Sequence, residues 1–290
     1  MSTQPQEAKR KKVTIHTLNE KKAKGEKITY LTAYDYQTAV IEDRVGVDLI
    51  LVGDSLGMCV YGFDSTLPVT LDIMINHAKA VRKGAPNCFV IGDMPYMTYQ
   101  VSIEKAVENA GRLVQGTGVD GIKLEGGSEM CDTIRAITRA GIPVMGHLGL
   151  TPQSASMLGG FKAQGRDVDA AVKLVNDAKA LEDAGCFAIL LEAIPAEIAQ
   201  IITERAKVPI LGIGAGKYCD GQVLIVNDLC GFYDGHIAKF VKQYANVGKI
   251  IEEALTRYKE EVEQSLFPEA KHCYKIDEAE LAKVKKALGL

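Results

Sequence analysis

The chain has 290 residues, of which 47% are hydrophobic and 24% are charged, as is ordinary for a globular protein. A net charge of −3 gives no field to recruit nucleic acid or an anionic membrane, and the lack of Trp argues against an aromatic platform for bases. No apolar stretch approaches the roughly 20 residues of a membrane span, and the N-terminus lacks the apolar region of a secretory signal, so we expect a cytoplasmic protein.

Residues 1–12 are predicted to be a disordered tail with a basic run at 9–12, which is interpreted as solvated, with targeting as the alternative. A short N-terminal helix follows. A capping box that starts at Thr17 predicts its beginning, and Gly25 predicts its end.

Eight short apolar segments then recur along the chain. They are 28–33, 47–52, 88–92, 119–124, 142–146, 186–191, 208–213 and 223–226. Their apolar residues run without alternation, as is typical of strands that are buried on both faces of a parallel sheet. The sequence therefore predicts eight parallel strands.

Helical patterns separate most of these segments, and the clearest are 36–45, 71–84, 102–116, 128–140 and 168–184. Strand and helix in regular alternation predict an α/β fold, a (β/α)₈ barrel, with a doubly wound open sheet as the rival. We expect one barrel domain over 13–270 and a helical extension over 271–290. Helices are predicted over 236–265 and 276–289, and 159–165 is a candidate lid.

The seven cysteines are widely spaced, without a C-x-x-C pair. They are interpreted as reduced thiols rather than as disulfides or a zinc site.

Acidic residues follow three consecutive predicted strands. They are Asp54, Asp93 and Glu125. In a parallel barrel the strand ends meet at one rim, so three carboxylates there would repel one another unless a divalent cation lay between them. Oxygen ligands suit Mg²⁺, although Mn²⁺ and Co²⁺ accept the same set. Lys123, two residues before Glu125 and on the same strand face, would meet an anionic substrate.

Other polar residues stand at the same predicted rim. Tyr34 and Ser55 follow the first two strands, and His147 follows the fifth, where it would either support a loop or donate to a substrate anion. Glu192 follows six apolar residues, and partial burial would suit it to general acid/base work. Its alternative is a structural ion pair.

Seven motifs in register resemble the ketopantoate hydroxymethyltransferase family over about residues 13–270. They are TAYDY (32–36), VGDSLGM (52–58), GDMPYM (92–97), IKLEGG (122–127), GHLGLTPQS (146–154), LEAIP (191–195) and GIGAGKYCDGQVL (212–224). The resemblance implies a barrel of the phosphoenolpyruvate/pyruvate type and assembly as a homo-decamer.

The same resemblance implies transfer of a hydroxymethyl group from 5,10-methylenetetrahydrofolate to 3-methyl-2-oxobutanoate through a Mg²⁺-stabilised enolate, the first step of pantothenate biosynthesis. It implies that Asp54, Asp93 and Glu125 hold Mg²⁺, some through water. It implies that Asp54, Ser55, Asp93 and Lys123 bind the oxo acid and that Glu192 is the catalytic base.

Two other functions stay open at this point. One is a carbon–carbon lyase or mutase of the same barrel group, although a loop Cys of the kind such enzymes use is absent from the sequence. The other is a non-catalytic barrel that serves as a scaffold, which fold alone does not exclude.

Overall fold

The computed structural model describes residues 10–157, 159–232, 235 and 237–290. Within these residues the strands are β1 (Ile28–Thr32), β2 (Leu49–Val52), β3 (Phe89–Asp93), β4 (Gly121–Glu125), β5 (Val144–Gly149), β6 (Ala188–Glu192), β7 (Ile210–Ile213) and β8 (Gly221–Leu224). The helices are α1 (Ile15–Lys24), α2 (Tyr36–Val45), α3 (Leu56–Cys59), α4 (Leu71–Gly84), α5 (Ile103–Thr117), α6 (Cys131–Arg139), α7 (Val168–Ala184), α8 (Ala196–Arg205), α9 (Val226–Cys230), α10 (Val247–Glu263) and α11 (Glu278–Ala287).

The strands close into a barrel in sequence order, and each neighbouring pair is parallel. This confirms the predicted (β/α)₈ barrel with a short N-terminal helix and C-terminal helices. Several predicted strands begin about two residues early, because buried apolar residues such as Val47, Val119 and Cys186 lie in the loop before the strand. Burial alone does not mark where strand pairing starts.

Alternation along the strands divides the buried residues into two layers. Residues such as Leu49, Ile91 and Met145 point into the barrel and pack together there, whereas Ile50 and Ile122 pack against the surrounding helices. Because side chains on a strand alternate between faces, the inward face of each strand continues upward into the C-terminal mouth of the barrel. That mouth is where the predicted site residues stand.

At the N-terminal end of the barrel, Asp48, Asp120 and Asp220 stand directly before β2, β4 and β8. Each carboxylate accepts a hydrogen bond from a main-chain N–H of a neighbouring strand, at 2.8, 2.9 and 2.8 Å respectively. Each also pairs with a helix cation, as Asp48–Lys21 at 2.6 Å, Asp120–Arg82 at 2.6 Å and Asp220–Lys22 at 2.7 Å. These acids fasten helices to strands.

The N-terminal segment differs from its prediction. Thr14 rather than Thr17 caps α1, because Thr17 is the third residue of the helix and its hydroxyl returns the cap's hydrogen bond; Gly25 ends the helix as predicted. Arg10 donates to the main-chain oxygens of Gly46 and Val47 at 2.9 and 2.6 Å, so residues 10–12 are held against the barrel. The rest of the predicted tail, residues 1–9, lies outside the described residues.

The helix predicted over 236–265 is wrong in its first part. Residue 236 lies outside the described residues, and 237–246 is not helical; α10 begins at Val247, after Asn246 caps Lys249 N–H. Tyr244 N–H donates instead to Leu229 O at 2.8 Å, and the Phe240 ring packs on Gly214. Tertiary contacts to the mouth of the barrel have replaced helical hydrogen bonds there. The final predicted helix is present as α11.

The seven cysteines are all free thiols. Among the described residues, no helix combines the length and the apolar character needed to cross a bilayer.

Candidate active site

One cavity of about 1050 Å³ opens at the C-terminal mouth of the barrel. The predicted site residues that line it are Asp54, Ser55, Asp93, Lys123, Glu125, His147 and Glu192. Tyr34 does not line the cavity. Its hydroxyl is 2.8 Å from Ser55 Oγ and so supports a lining residue from behind.

Strand register places four of these residues side by side. Asp93 is opposite Lys123 across β3 and β4, and Glu125 is opposite His147 across β4 and β5. Lys123 Nζ is 2.9 Å from Asp93 Oδ1 and 3.8 Å from Glu125 Oε1, with both side chains almost completely buried. One ammonium therefore serves two carboxylates.

Asp54 adds a third carboxyl group to this cluster. It follows β2, and its main-chain N–H donates to Asp93 Oδ2 at 3.1 Å. Burial, reinforced by the charge of Asp93, raises the pKa of Asp54, and burial also raises the pKa of Asp93 despite the attraction of Lys123. Both shifts mean that the folded site disfavours the charged forms of these two carboxyl groups.

The neighbouring carboxylates raise the pKa of both basic groups of the cluster. Burial alone would lower the pKa of Lys123, but Asp93 and Glu125 outweigh it and raise that pKa. Burial and the charge of Lys123 would lower the pKa of His147, but the carboxylates of Glu125 and Glu192 outweigh them and raise that pKa to about 9. The pKa of Glu125 is lowered, since hydrogen bonding to His147 and the charge of Lys123 outweigh its burial.

Glu192 ends β6 and faces the cavity from the side of His147. Its Oε2 is 3.2 Å from His147 Nε2, while His147 Nδ1 is 3.4 Å from Glu125 Oε1. The next residue, Ala193, has a φ of +48°, a left-handed conformation that a residue with a Cβ seldom adopts. Strain of this kind gathers at functional sites, and here it turns the chain back immediately after Glu192.

Sequence reasoning missed two residues that hold the acids in place. Gln153 Nε2 donates to Asp54 Oδ2 at 2.9 Å, and Gln153 N–H donates to Glu125 Oε2 at 3.0 Å. The Tyr99 hydroxyl donates to Gln153 Oε1 at 2.7 Å and accepts from Glu125 N–H at 3.2 Å. The available signal was the loop GHLGLTPQS, in which a buried Gln follows a strand and a Pro.

The donor set suits a hard divalent cation in part. The carboxyl oxygens Asp93 Oδ1 and Glu125 Oε1 are buried, and their contacts are with the cations of the cluster, Lys123 Nζ at 2.9 Å and His147 Nδ1 at 3.4 Å respectively. Yet in the described ranges no three His, Cys, Asp or Glu side chains converge closely enough to hold one metal ion. Mg²⁺ commonly takes only one or two protein carboxylates and completes its shell with substrate oxygens and water, so the adjacent Asp54 and Asp93 fit such an ion.

Solved structures share this fold at low sequence identity. A phosphonopyruvate hydrolase in complex with oxalate and Mg²⁺ superposes with a TM-score of 0.59 at 12% identity, covering 95% of this chain and 96% of the other. A 2,3-dimethylmalate lyase of the phosphoenolpyruvate mutase/isocitrate lyase superfamily gives a TM-score of 0.56 at 15% identity, with coverage of 94% and 98%. These likenesses establish the barrel type alone.

Sequence relatives are far more similar. A family model described as ketopantoate hydroxymethyltransferase matches residues 12–270. A 3-methyl-2-oxobutanoate hydroxymethyltransferase from Syntrophomonas wolfei is 53% identical, covering 92% of this chain and 97% of the relative. One of the same name from Clostridium beijerinckii is 52% identical, with coverage of 94% and 99%. The chain therefore belongs to the ketopantoate hydroxymethyltransferase family, whose named members are transferases.

Proposed function

We propose that this protein transfers a hydroxymethyl group from 5,10-methylenetetrahydrofolate to 3-methyl-2-oxobutanoate, giving 2-dehydropantoate (ketopantoate), the first step of pantothenate biosynthesis. The observation that carries the proposal is the cluster of Asp54, Asp93, Glu125 and Lys123 on one wall of a cavity that Glu192 also lines. The name of the relatives, which specifies the oxo acid, supports the choice of substrate.

We propose Mg²⁺ as the cofactor, with Asp54 and Asp93 as its nearest protein ligands and Glu125 reached through water. Bound there, the ion would supply Lewis-acid stabilisation of the negative charge that develops on the oxo acid. The phosphonopyruvate hydrolase of like fold was solved with oxalate and Mg²⁺. In our proposal, the oxo acid and Mg²⁺ correspond to the oxalate and Mg²⁺ of that complex. Mn²⁺ or Co²⁺ would suit the same oxygen ligands.

The chain's own residues bind and orient the oxo acid. Lys123 is the buried cation that meets the anionic end of the substrate, because it stands between Asp93 and Glu125 and faces the cavity. Ser55, fixed by Tyr34, adds a hydroxyl donor to the same anion. Donors that are fixed before the reaction stabilise developing charge without reorganising.

Glu192 is proposed to take the proton from C3. It lines the cavity at the end of β6, and His147 holds its carboxylate at 3.2 Å. The C3–H bond breaks, and the resulting carbanion equivalent forms a new carbon–carbon bond to the one-carbon unit. The two carbon–nitrogen bonds that joined this unit to the folate break, and water supplies the hydroxyl oxygen. Tetrahydrofolate leaves with the proton that Glu192 took from C3 and with one proton of the water. Both glutamates contact His147, but Glu125 is buried and also accepts Gln153 N–H, whereas Glu192 is partly exposed to the cavity, so Glu192 suits the base role better.

Product formation tests the proposal directly. The purified protein is incubated with 3-methyl-2-oxobutanoate, 5,10-methylenetetrahydrofolate and MgCl₂, and ketopantoate is measured by mass spectrometry. We expect product only when all three are present, loss of product with excess chelator, and recovery on adding Mg²⁺ back. Absence of product in the complete mixture would contradict the proposal. Consumption of the oxo acid without folate would favour the lyase-type alternative.

We also propose that the chain assembles with copies of itself. Helix α10 has no buried residue, and one stripe of it exposes the large apolar side chains of Ile251, Leu255 and Tyr258, at 37, 62 and 56% of their surface. Apolar stripes of this kind are typical of subunit interfaces. Light scattering after size exclusion tests this: a decamer is expected by analogy with the family, and a monomer at micromolar concentration would contradict it.

A further inference from the structure

The cavity is much larger than the volume of the oxo acid. Its volume of about 1050 Å³ is at the upper end for sites that enclose a drug-sized ligand, roughly 300–1,000 Å³. The acidic cluster and Lys123 occupy the wall formed by β2 to β5. Because β8 and β1 lie across the barrel from β4 and β5, the opposite wall belongs to a second part of the cavity that the oxo acid does not fill.

Two buried polar side chains of the cavity have no hydrogen-bond partner among the described residues, one directly after β8 and one in the connection that follows β2. Asp228, on α9 just after β8, is 7% exposed, and its Oδ1 has no hydrogen bond from a described residue. Thr66, in the loop between α3 and α4, is 3% exposed, and its Oγ1 is likewise unpaired within the described residues. Both line the cavity. Burial raises the pKa of Asp228, and unpaired buried polar groups are costly unless a ligand satisfies them.

The rest of this part is apolar within and cationic at its edge. Phe161 from the loop after β5 and Phe240 from the segment after β8 both line the cavity, and Phe240 packs on Gly214 of the β7–β8 loop. Lys162, Arg166 and Lys239 also line it and are exposed. None of these three forms an ion pair with another described residue. A ligand here would have a flat or apolar body, a buried donor end and an anionic exposed end.

We propose that this part of the cavity is the subsite for reduced folate, with Asp228 as the anchor of the pterin ring. The inference rests on the proposed function, which requires a folate donor. A pterin presents two adjacent N–H donors, N3–H and the 2-amino group, which match the two oxygens of one carboxylate. The aryl portion lies between Phe161 and Phe240, and the glutamate carboxylates face Lys162, Arg166 and Lys239.

The test measures binding of the stable probe 5-formyltetrahydrofolate by calorimetry, together with the KM for each substrate. Asp228→Asn keeps the size and shape of the side chain, but it replaces one acceptor oxygen by an NH₂ group that would face the N–H donors of the pterin. We therefore expect folate binding to weaken by about ten- to 150-fold. Thr66→Val should weaken it by about two- to tenfold. The KM for the oxo acid should change far less than the KM for the folate.

Glu42→Gln is the matched control. Glu42 is also a buried carboxyl without a hydrogen-bond partner among the described residues, but it does not line the cavity. We expect its folate binding to equal that of the wild type. Replacing Lys239 by Ala should weaken a polyglutamyl folate more than a monoglutamyl one, because only the longer tail carries the extra carboxylates.

The outcomes separate this inference from the proposed function. Wild-type protein that binds no reduced folate would overturn the function and, with it, the subsite. Wild-type binding that Asp228→Asn leaves unchanged would overturn the subsite alone. An equal rise of both KM values in Asp228→Asn, or an equal loss of folate binding in Glu42→Gln, would mean general distortion and would also overturn the assignment.

Discussion

The two ends of the barrel use the same kind of residue for opposite purposes. At the N-terminal end, Asp48, Asp120 and Asp220 each have a helix cation of their own and accept a main-chain N–H. At the C-terminal end, three buried acids share Lys123 and His147, and the pKa values of Asp54 and Asp93 are raised.

The difference lies in whether each charge is already satisfied. Paired acids that hold main-chain amides stabilise the fold, whereas crowded acids in a cavity leave free energy to be gained by binding a cation or a substrate. Substitutions at the two ends of the barrel should therefore have different effects on stability and on activity. Substitutions at the mouth should affect turnover, and substitutions at the opposite end should affect unfolding.

The largest effect on turnover is expected for Glu192→Gln. The amide keeps the size of the side chain but cannot accept the C3 proton, so kcat should fall by about 10²–10⁴-fold. Glu192 is partly exposed, and its one ion contact with a described residue is to His147, so thermal unfolding should change little. Steady-state kinetics and a melting curve check both halves. A kcat within tenfold of the wild type would move the base to another residue.

Asp93→Asn should lower kcat/KM by about 10²–10³-fold, the cost of losing one fixed electrostatic contact. Its stability should stay close to that of the wild type, because the substitution removes a buried carboxylate but also one of the two ion pairs of Lys123. Burial raises the pKa of Asp93, so the folded state disfavours the carboxylate form that the unfolded chain carries at pH 7. Chemical denaturation checks this. A clear loss of stability with little change in activity would reverse the assignment of the two ends.

Asp120→Asn at the other end is the matched comparison. It removes the charge that pairs with Arg82 at 2.6 Å and weakens the hydrogen bond from Val90 N–H at 2.9 Å. The free energy of unfolding should fall by about 1–3 kcal/mol. Turnover at 25 °C should stay within about twofold, because residues at this end support the fold rather than the reaction. A large drop in kcat without loss of stability would contradict this account.

Glu42, on α2, sharpens the comparison because it is a buried acid that belongs to neither end. Burial, with the charge of Asp35, raises its pKa to about 8 from 4.5. Between those values the unfolded chain loses a proton that the folded chain keeps, so stability falls as pH rises and levels off above about 8.

Glu42→Gln should flatten that slope, which is at most about 1.4 kcal/mol per pH unit. The variant should therefore be more stable than the wild type at pH 8 and nearly equal to it at pH 4.5, the ordinary pKa of the group. Denaturation curves at several pH values check the difference. Parallel pH dependence in the two proteins would show that Glu42 is solvated or paired.

The sequence predicted the barrel and the position of the acids because both depend on short-range patterns. Apolar runs mark strands, and a polar residue at the end of an inward face, such as Asp93 or Glu125, must enter the mouth. Gln153 and Tyr99 orient the acids because their loops bring residues that are far apart in the sequence into contact. The periodic patterns that predict strands and helices contain no information about such long-range contacts.

Other errors have the same cause. Residues 237–246 have a helical pattern, but their contacts at the mouth of the barrel outweigh helix propensity. Arg10 lies in a charged run that is typical of solvated tails, yet main-chain oxygens of the barrel hold it. The roles that we propose for Asp228 and Thr66 rest on their burial and on their lack of hydrogen-bond partners among the described residues, neither of which a sequence pattern predicts.

Deuterium exchange at C3 of 3-methyl-2-oxobutanoate in D₂O is the most direct test of the central claim, that the acid cluster and Glu192 activate this carbon. The exchange is followed by NMR with Mg²⁺, with chelator, and then after addition of 5,10-methylenetetrahydrofolate. We predict exchange that requires Mg²⁺, falls in Glu192→Gln, and is followed by conversion to ketopantoate once the folate is added. Absence of exchange under every condition would contradict the account.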